Sequence, residues 1–269
     1  MVKKLFKHEF LSYARVMSIV YVILLTMATA NRIIQAFATD TVAYDIISVF
    51  SGITYGVSVA AVLGFSFVLG IIRFYRNLFT AEGYLSFTLP VTARQHISVK
   101  VITAVAMNII SFVMILISVC IITAGEMLKE IIIAARYLLR QLYQLVGSHM
   151  VTVSLEFLLW ILVASFTGVM LYYMFISIGQ LFKKNRIMAA VGAYFAYYVL
   201  TQIVSAVITI VFSILAANGT LEQLGLWIIN HIATAIHMGM WGAIVLTSLF
   251  AAVEFFVIKQ IITKKLNLE

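Results

Sequence analysis

Two carboxylates lie inside long apolar stretches of the sequence, where an ionisable side chain is costly to keep and is a candidate for an ion or proton pathway. Glu156 lies just after the start of one such stretch, and Glu254 lies near the end of another. A structural role is the alternative for each. Glu156 is within reach of Arg136 or Arg140, and Glu254 is five residues before Lys259.

Sequence motifs for catalysis, nucleotide binding and metal binding are absent. The chain has no GxxxxGK[ST] phosphate loop, no HExxH and no CxxC. His231 and His237 are six residues apart and would point in different directions on a helix, and His96 and His149 have no further ligand at useful spacing. Cys120 lies in an apolar run, where a lone thiol packs. We therefore expect neither an enzyme nor a metal or cofactor site in this chain.

The composition indicates an integral membrane protein. Hydrophobic residues make up 64% of the 269 residues, charged residues only 10%, and the mean hydropathy is +1.10, whereas a soluble domain is about half apolar and about a quarter charged. The net charge of +8 does not indicate nucleic-acid binding, because the basic residues cluster at the ends of apolar runs, as membrane topology requires.

The apolar stretches predict six membrane-spanning helices and an all-α fold. A spanning helix needs about 20 mostly apolar residues and satisfies its own backbone hydrogen bonds, as lipid demands. Pro90 is the one proline, and its isolation favours long uninterrupted helices. The predicted spans are 16–37, 46–72, 101–125, 151–181, 188–216 and 238–258.

The basic residues predict that both termini are cytoplasmic. With the N-terminus inside, fourteen of the eighteen Lys and Arg residues fall on the inner side. Residues 1–15 combine basic and apolar positions and predict an interfacial amphipathic helix that leads into the first span. The alternative is a signal peptide, since residues 28–30 read Ala-Thr-Ala, but Glu9 and the long basic region argue against it.

Two outer segments are too long to be turns. Residues 127–150 alternate apolar and charged positions at helical spacing, which predicts an outer amphipathic helix on the membrane surface or against the bundle, with a role in substrate contact as the alternative. Residues 217–237 are moderately apolar but interrupted by glycines, which predicts a segment that dips into the outer leaflet and returns.

The second span has small residues at every fourth position: Gly52, Gly56, Ala60 and Gly64. Small residues at this spacing let another helix approach closely. The sequence predicts a helix-packing face here, whose partner is either another span of the same chain or a second chain.

The inner segment 73–100, RFYRNLFTAEGYLSFTLPVTARQHISVK, predicts a docking element. The second span should continue as helix through Tyr75 and Phe79. Thr92, with Gln95 three residues later, should cap the next helix. Between them lie Tyr84, Leu85, Phe87 and Pro90. Exposed aromatic and apolar residues with a few charges are typical of a protein contact. The positive-inside rule is the alternative explanation for the basic residues Arg73, Arg76 and Arg94.

Part of this segment resembles a motif of a known family. The run Glu82-Gly83-Tyr84-Leu85, followed by Phe87-Thr88-Leu89-Pro90 and by Lys100, resembles the loop between the second and third spans of ABC-2 type transporter permeases of Gram-positive, Clostridia-like bacteria. The six spans, the N-terminal amphipathic helix and the dipping outer segment are similar to that family as well. The resemblance covers most of the chain, but only this loop is a specific motif.

The resemblance implies an ABC-2 (type V exporter-like) permease fold over residues 1–269. The segment 73–100 would be a coupling helix docked on a separate ATP-binding cassette ATPase, with ATP and Mg²⁺ bound by that partner. Two permease chains, identical or different, would form the export path in a bacterial plasma membrane for a peptide, drug-like or lipid-like substrate. The docking residues implied are Arg73, Arg76, Glu82, Tyr84, Leu85, Phe87, Pro90 and Arg94.

Two other functions compete with this interpretation. An ion-coupled secondary transporter should show broken helices or polar residues near the membrane midplane, and the two intramembrane acids are the candidates for such a role. A non-transporting sensor or assembly component attached to an ATPase would have the same docking segment.

Overall fold

The computed structural model describes residues 2–80 and 91–264, together with the backbone but not the side chain of Glu126. The structure is all-helical, and the described residues contain no strand. The helices are α1 (Val2–Ala36), α2 (Val42–Phe79), α3 (Ala93–Ile122), α4 (Glu126–Val146), α5 (Met150–Gly179), α6 (Arg186–Ala217), α7 (Glu222–Asn230) and α8 (Ile232–Lys264), with a 3₁₀ turn at Gly147–His149 before α5.

Six helical stretches in the described residues are long and apolar enough to cross a membrane, which confirms the predicted number. They are α1, α2, α3, α6, α8 and the stretch Met127–Gly179, which includes α5. The chain thus has the character of a multi-pass membrane protein. At about 1.5 Å per residue, α1 and α2 are each more than about 50 Å long, well beyond an apolar layer of about 30 Å. Each helix is therefore long enough to extend beyond the apolar layer by several turns.

The chain divides into two compact units between Tyr137 and Leu138, inside α4. In the first unit, α1 packs against both α2 and α3. The buried residues of α1 follow one stripe three or four positions apart, which is the spacing of one helix face. The core of this unit consists of Tyr13, Met17, Tyr21, Leu24, Val62 and Met107.

Side-chain hydrogen bonds link the three helices of the first unit. Tyr21 shares one of 2.8 Å with Ser111. Tyr55 shares one of 2.9 Å with Ser118. The hydroxyl of Tyr13 donates to the backbone oxygen of Ser66. In an apolar medium each such bond contributes about 1 kcal/mol to helix association, so these tyrosines fix the register of α1, α2 and α3.

In the second unit, α5 packs against α8 and α6. Phe175 of α5 makes edge contact with Tyr194 of α6, with ring centroids 5.6 Å apart. The hydroxyl of Thr167 on α5 donates to the backbone oxygen of Thr247 on α8 at 3.3 Å. These contacts place α5 between its two neighbours, and buried residues of α5 and α8, among them Val169, Tyr173, Ile244 and Ile258, form the core.

Both segments that the sequence predicts to lie outside contain helices. Within 127–150, α4 ends at Val146 and the 3₁₀ turn follows, so most of this segment is helical. Its location at the outer membrane surface stays a prediction. Within 217–237, α7 occupies Glu222–Asn230, the chain breaks its helix at His231, and α8 begins at Ile232. α8 therefore starts six residues before the sixth predicted span, 238–258.

The close approach between the end of α5 and the start of α6 depends on Gly179. A Cβ added there would lie 2.5 Å from the backbone oxygen of Arg186 and 2.8 Å from the Cβ of Ala190. We predict that Gly179→Ala lowers the stability of the detergent-solubilised protein by about 1 to 3 kcal/mol, because overpacking forces the backbone apart. Thermal unfolding measures the change.

Gly168→Ala is the matched control on the same helix. An added Cβ at Gly168 meets nothing within 4 Å, so the substitution should stabilise the helix by up to about 1 kcal/mol. Equal effects of the two substitutions would contradict the close approach at Gly179.

Candidate functional site

The helices that flank the predicted docking element are well defined. α2 continues to Phe79, and Thr80 is its C-cap, which confirms helix through Tyr75 and Phe79. α3 begins at Ala93 with the predicted capping box. The Oγ1 of Thr92 accepts from the backbone N–H of Gln95 at 3.4 Å, and the Oε1 of Gln95 accepts from the backbone N–H of Thr92 at 3.1 Å. The start of α3 is therefore fixed by local hydrogen bonds of its capping box.

Residues 81–90, here called the corner, lie between these two helices in the sequence and outside the described residues. Five of the predicted docking residues, Glu82, Tyr84, Leu85, Phe87 and Pro90, lie outside the described residues, as does Gly83. Their roles stay predictions. The other three are described: Arg76 in the last turn of α2 and Arg94 in the first turn of α3 are exposed, while Arg73 is largely buried.

A buried ion cluster lies one to two turns before the end of α2. The carboxylate of Glu9 on α1 lies between Arg73 of α2 and Lys100 of α3. Its Oε1 accepts from Arg73 Nε at 3.3 Å and from Lys100 Nζ at 3.2 Å, and its Oε2 accepts from Asn77 at 3.3 Å. The side chains of Glu9, Arg73 and Lys100 are only 9%, 18% and 7% exposed.

The guanidinium of Arg73 is held by three further groups. It donates to Ser12 Oγ at 3.0 Å and to the backbone oxygen of Glu9 at 3.3 Å. It also lies 5.5 Å from the ring centroid of Tyr13, within the range of a cation–π contact. Arg73 thus has a structural position that ties α2 to α1, and a direct role in docking remains only a prediction.

The pairing of Glu9 with these cations was not predicted from the sequence, although the sequence held a usable signal. Glu9 is the only acid before Asp40, and it lies four residues before Tyr13 and eight before Met17, on the stripe that α1 buries. A lone acid on a buried helix stripe is either paired with a cation from a neighbouring helix or protonated.

A second polar cluster joins α5 to α8. The Nδ1 of His237 lies 2.9 Å and 2.8 Å from the two carboxylate oxygens of Glu156, and Trp241 Nε1 donates to Oε1 at 2.9 Å. The ring of His149 meets that of His237 edge to face, with centroids 5.4 Å apart. Glu156 is therefore hydrogen-bonded to His237 and Trp241, two partners that were not predicted from the sequence.

The sequence spacing of these four residues could have indicated the cluster. His149 and Glu156 are seven residues apart, and His237 and Trp241 are four apart, so each pair lies on one helix face. His237 was compared with His231 on its own chain segment instead. Among residues 2–80 and 91–264, no group of three His, Cys, Asp or Glu residues is placed to hold a metal ion.

The other predicted acid, Glu254, has no such partners. Glu254 of α8 is only 4% exposed, and its Oε2 has no hydrogen-bond partner among the described residues. Lys259, the suggested partner, is exposed on α8. The two acids predicted as candidates thus lie in different environments: Glu156 is hydrogen-bonded, whereas Glu254 Oε2 has no partner among the described residues.

The small residues of α2 lie on an open face. Gly52, Gly56, Ala60 and Gly64 are exposed, and a Cβ added at any of the three glycines meets no atom of the described chain within 4 Å. The buried stripe of α2 includes Ser58, Val62 and Ser66, about two residues out of phase and therefore on the opposite side of the helix. Neither α1 nor α3 covers the glycine face.

Comparison with known proteins leaves the family undetermined: no family model, no curated protein and no solved structure matches this chain.

We predict that Glu9→Gln lowers the stability of the protein by about 3 kcal/mol, because removing one partner of a buried ion pair leaves its cations uncompensated. Chemical unfolding in detergent measures the loss. Glu130→Gln on the exposed surface of α4 is the control and should change stability by less than about 0.5 kcal/mol. In a double-mutant cycle, adding Lys100→Met to Glu9→Gln should cost less than the sum of the single losses. Additive losses would contradict a direct interaction.

For the second cluster, we predict that Glu156→Leu destabilises the protein by about 1 to 2 kcal/mol, because it removes the acceptor shared by His237 and Trp241. Glu156→Gln, which keeps one acceptor oxygen, should cost less. Thermal unfolding orders the three proteins, with Glu222→Gln on exposed α7 as the control. If Glu156→Leu were as stable as the parent chain, the cluster would have no role in joining α5 to α8.

Proposed function

We propose that this chain is the transmembrane subunit of an ATP-binding cassette exporter, powered by a separate ATPase subunit that docks on segment 73–100. The observation that supports the proposal best is the attachment of both helices of this segment to α1. Two continuous helices flank the corner of this segment, and the buried Glu9 cluster fastens both of them to α1. A force applied at the corner therefore has a rigid route into the first unit.

Each step of that route involves described contacts. The last turns of α2, from Arg73 to Phe79, bury Phe74, Leu78 and Phe79, so they are held by packing and not only by backbone bonds. The first turns of α3 bury His96, Ile97 and Lys100. Motion of the corner would move both ends together, since Lys100 and Arg73 share the same carboxylate oxygen.

The charges near the corner suit an acidic partner. Arg76 and Arg94 are exposed at the two helix ends and would face an acidic groove on the ATPase. ATP and Mg²⁺ would be bound there, since the sequence of this chain has no phosphate-binding motif. The chain itself would not be an enzyme.

A working transporter of this kind needs a second permease chain, identical or different. The open glycine face of α2 is the surface we assign to helix contact with that chain, because small residues allow close approach. Between the two chains a peptide, drug-like or lipid-like substrate would leave the cell across a bacterial plasma membrane. The exposed apolar residues of α4, such as Leu138 and Leu142, would lie on the outer membrane surface.

An ion-coupled secondary transporter is the second candidate, and the Glu156 cluster favours it. An acid hydrogen-bonded to a histidine between two apolar helices is the kind of pair found in proton relays. The described spans are, however, continuous helices, whereas such transporters build their sites from broken ones. A non-transporting sensor attached to an ATPase would share the docking segment and would differ only in moving no substrate.

A pull-down from native membranes in mild detergent tests the docking proposal. Tyr84→Ala/Phe87→Ala is compared with the parent chain and with Tyr137→Ala/Tyr143→Ala, a matched control that removes two exposed aromatic residues from α4. We expect an ATP-binding cassette protein to copurify with the parent and with the control. The corner variant should retain less than about one tenth of it, since truncating an anchor residue costs about 2 kcal/mol or more.

Insertion of all three proteins into the membrane is checked by protease protection of the expressed chains. If no nucleotide-binding protein copurifies with the parent chain under conditions that preserve complexes, the exporter proposal is wrong. Equal recovery with the corner variant would move the docking surface away from segment 73–100.

A further inference from the structure

Glu254 is the one acid in the second unit whose buried position has no explanation in the contacts of the described chain. Its residue is 4% exposed and its Oε2 accepts no hydrogen bond from any described group. An ionised carboxylate in such surroundings costs many kcal/mol, and a buried acid without a cation takes up a proton instead. The chemical state of Glu254 therefore depends on what the neighbouring helices offer.

The neighbouring helices offer no cation at the depth of Glu254. α5, which packs on α8, has no charged residue between Glu156 and Lys183. α8 itself has no other charged residue between its start at Ile232 and Lys259, and Lys259 is exposed.

The register of the two helices identifies the titratable groups that face Glu254. Three α5–α8 hydrogen bonds join residues 80, 81 and 85 positions apart, so Glu254 lies level with residues 169–174 of α5. Tyr172 and Tyr173 are the titratable residues of α5 at this level. A tyrosine side chain carries no positive charge, so neither residue compensates a carboxylate.

We propose that Glu254 is a proton-binding site, a carboxyl group that keeps its proton at neutral pH within the packed faces of α5 and α8. The ligand is the proton itself. The site is independent of the exporter proposal, because it lies in the second unit and uses none of the residues of segment 73–100. It gives the second unit a group that can release a proton when water or a cation reaches it.

Two other acids of the chain provide matched comparisons. Glu9 is as buried as Glu254 but is paired with Arg73 and Lys100, so it is ionised. Glu156 is hydrogen-bonded to His237 and Trp241. Glu9 and Glu254 are thus buried to a similar extent, but among the described residues only Glu9 is paired with cations.

Infrared spectroscopy of the full chain in lipid vesicles tests the site. Exposed Asp and Glu side chains titrate near pH 4, so at pH 7 a carboxylic acid C=O band reports a protected proton. We expect this band in the parent chain, a small shift of it in D₂O, and its loss in Glu254→Gln. Glu9→Gln should leave the band unchanged.

Glu254→Gln is neutral and nearly isosteric with a protonated Glu254, so its melting temperature should differ from that of the parent by less than about 3 °C. A parent chain without the band at pH 7 would overturn the proposal, since Glu254 would then be ionised and paired with a cation or a second chain. A band that persists in Glu254→Gln but disappears in Glu156→Gln would also overturn it, by assigning the proton to the other acid.

Discussion

The carboxylate of Glu9 joins the three long helices α1, α2 and α3 of the first unit. Glu9 binds Arg73 and Lys100 through one oxygen and Asn77 through the other, and these partners come from helices separated by as many as 91 positions along the chain. In a packed helix bundle the apolar contacts are similar in many rotations of one helix about another. A buried ion cluster is directional and is satisfied in only one arrangement, so it specifies the register of α1, α2 and α3.

The tyrosines of the first unit form further directional contacts between its helices, away from the ion cluster. Tyr13, Tyr21 and Tyr55 each form a hydrogen bond to a residue of another helix.

The helices of the second unit are joined by fewer polar contacts. None of the residues of α6 is buried in the described chain, and α5 and α8 are joined by the Glu156 cluster and by one threonine contact. The first unit is therefore specified by many polar links and the second by few.

The sequence predicted the helices well because hydropathy and caps are local properties. The number of spans, the length of α2 and the capping box of Thr92 and Gln95 all follow from short stretches of residues. The partners of the ionisable groups were not predicted, because they depend on which helix faces meet. The sequence places Arg136 and Arg140 within reach of Glu156, whereas its hydrogen-bond partner His237 is 81 positions away. The N-terminal acid Glu9 was not recognised as a site at all.

The two buried acids Glu9 and Glu254 show why burial alone does not determine a role. Glu9 has two cations within 3.3 Å, so its charge is compensated and it strengthens the packing of three helices. Glu254 is equally buried, but the apolar sequence of α5 and α8 provides no cation at its depth. An uncompensated acid does not stabilise a packed interface, and its retention needs another reason. The first unit uses its buried acid to stay rigid, whereas the second unit keeps one whose charge can change.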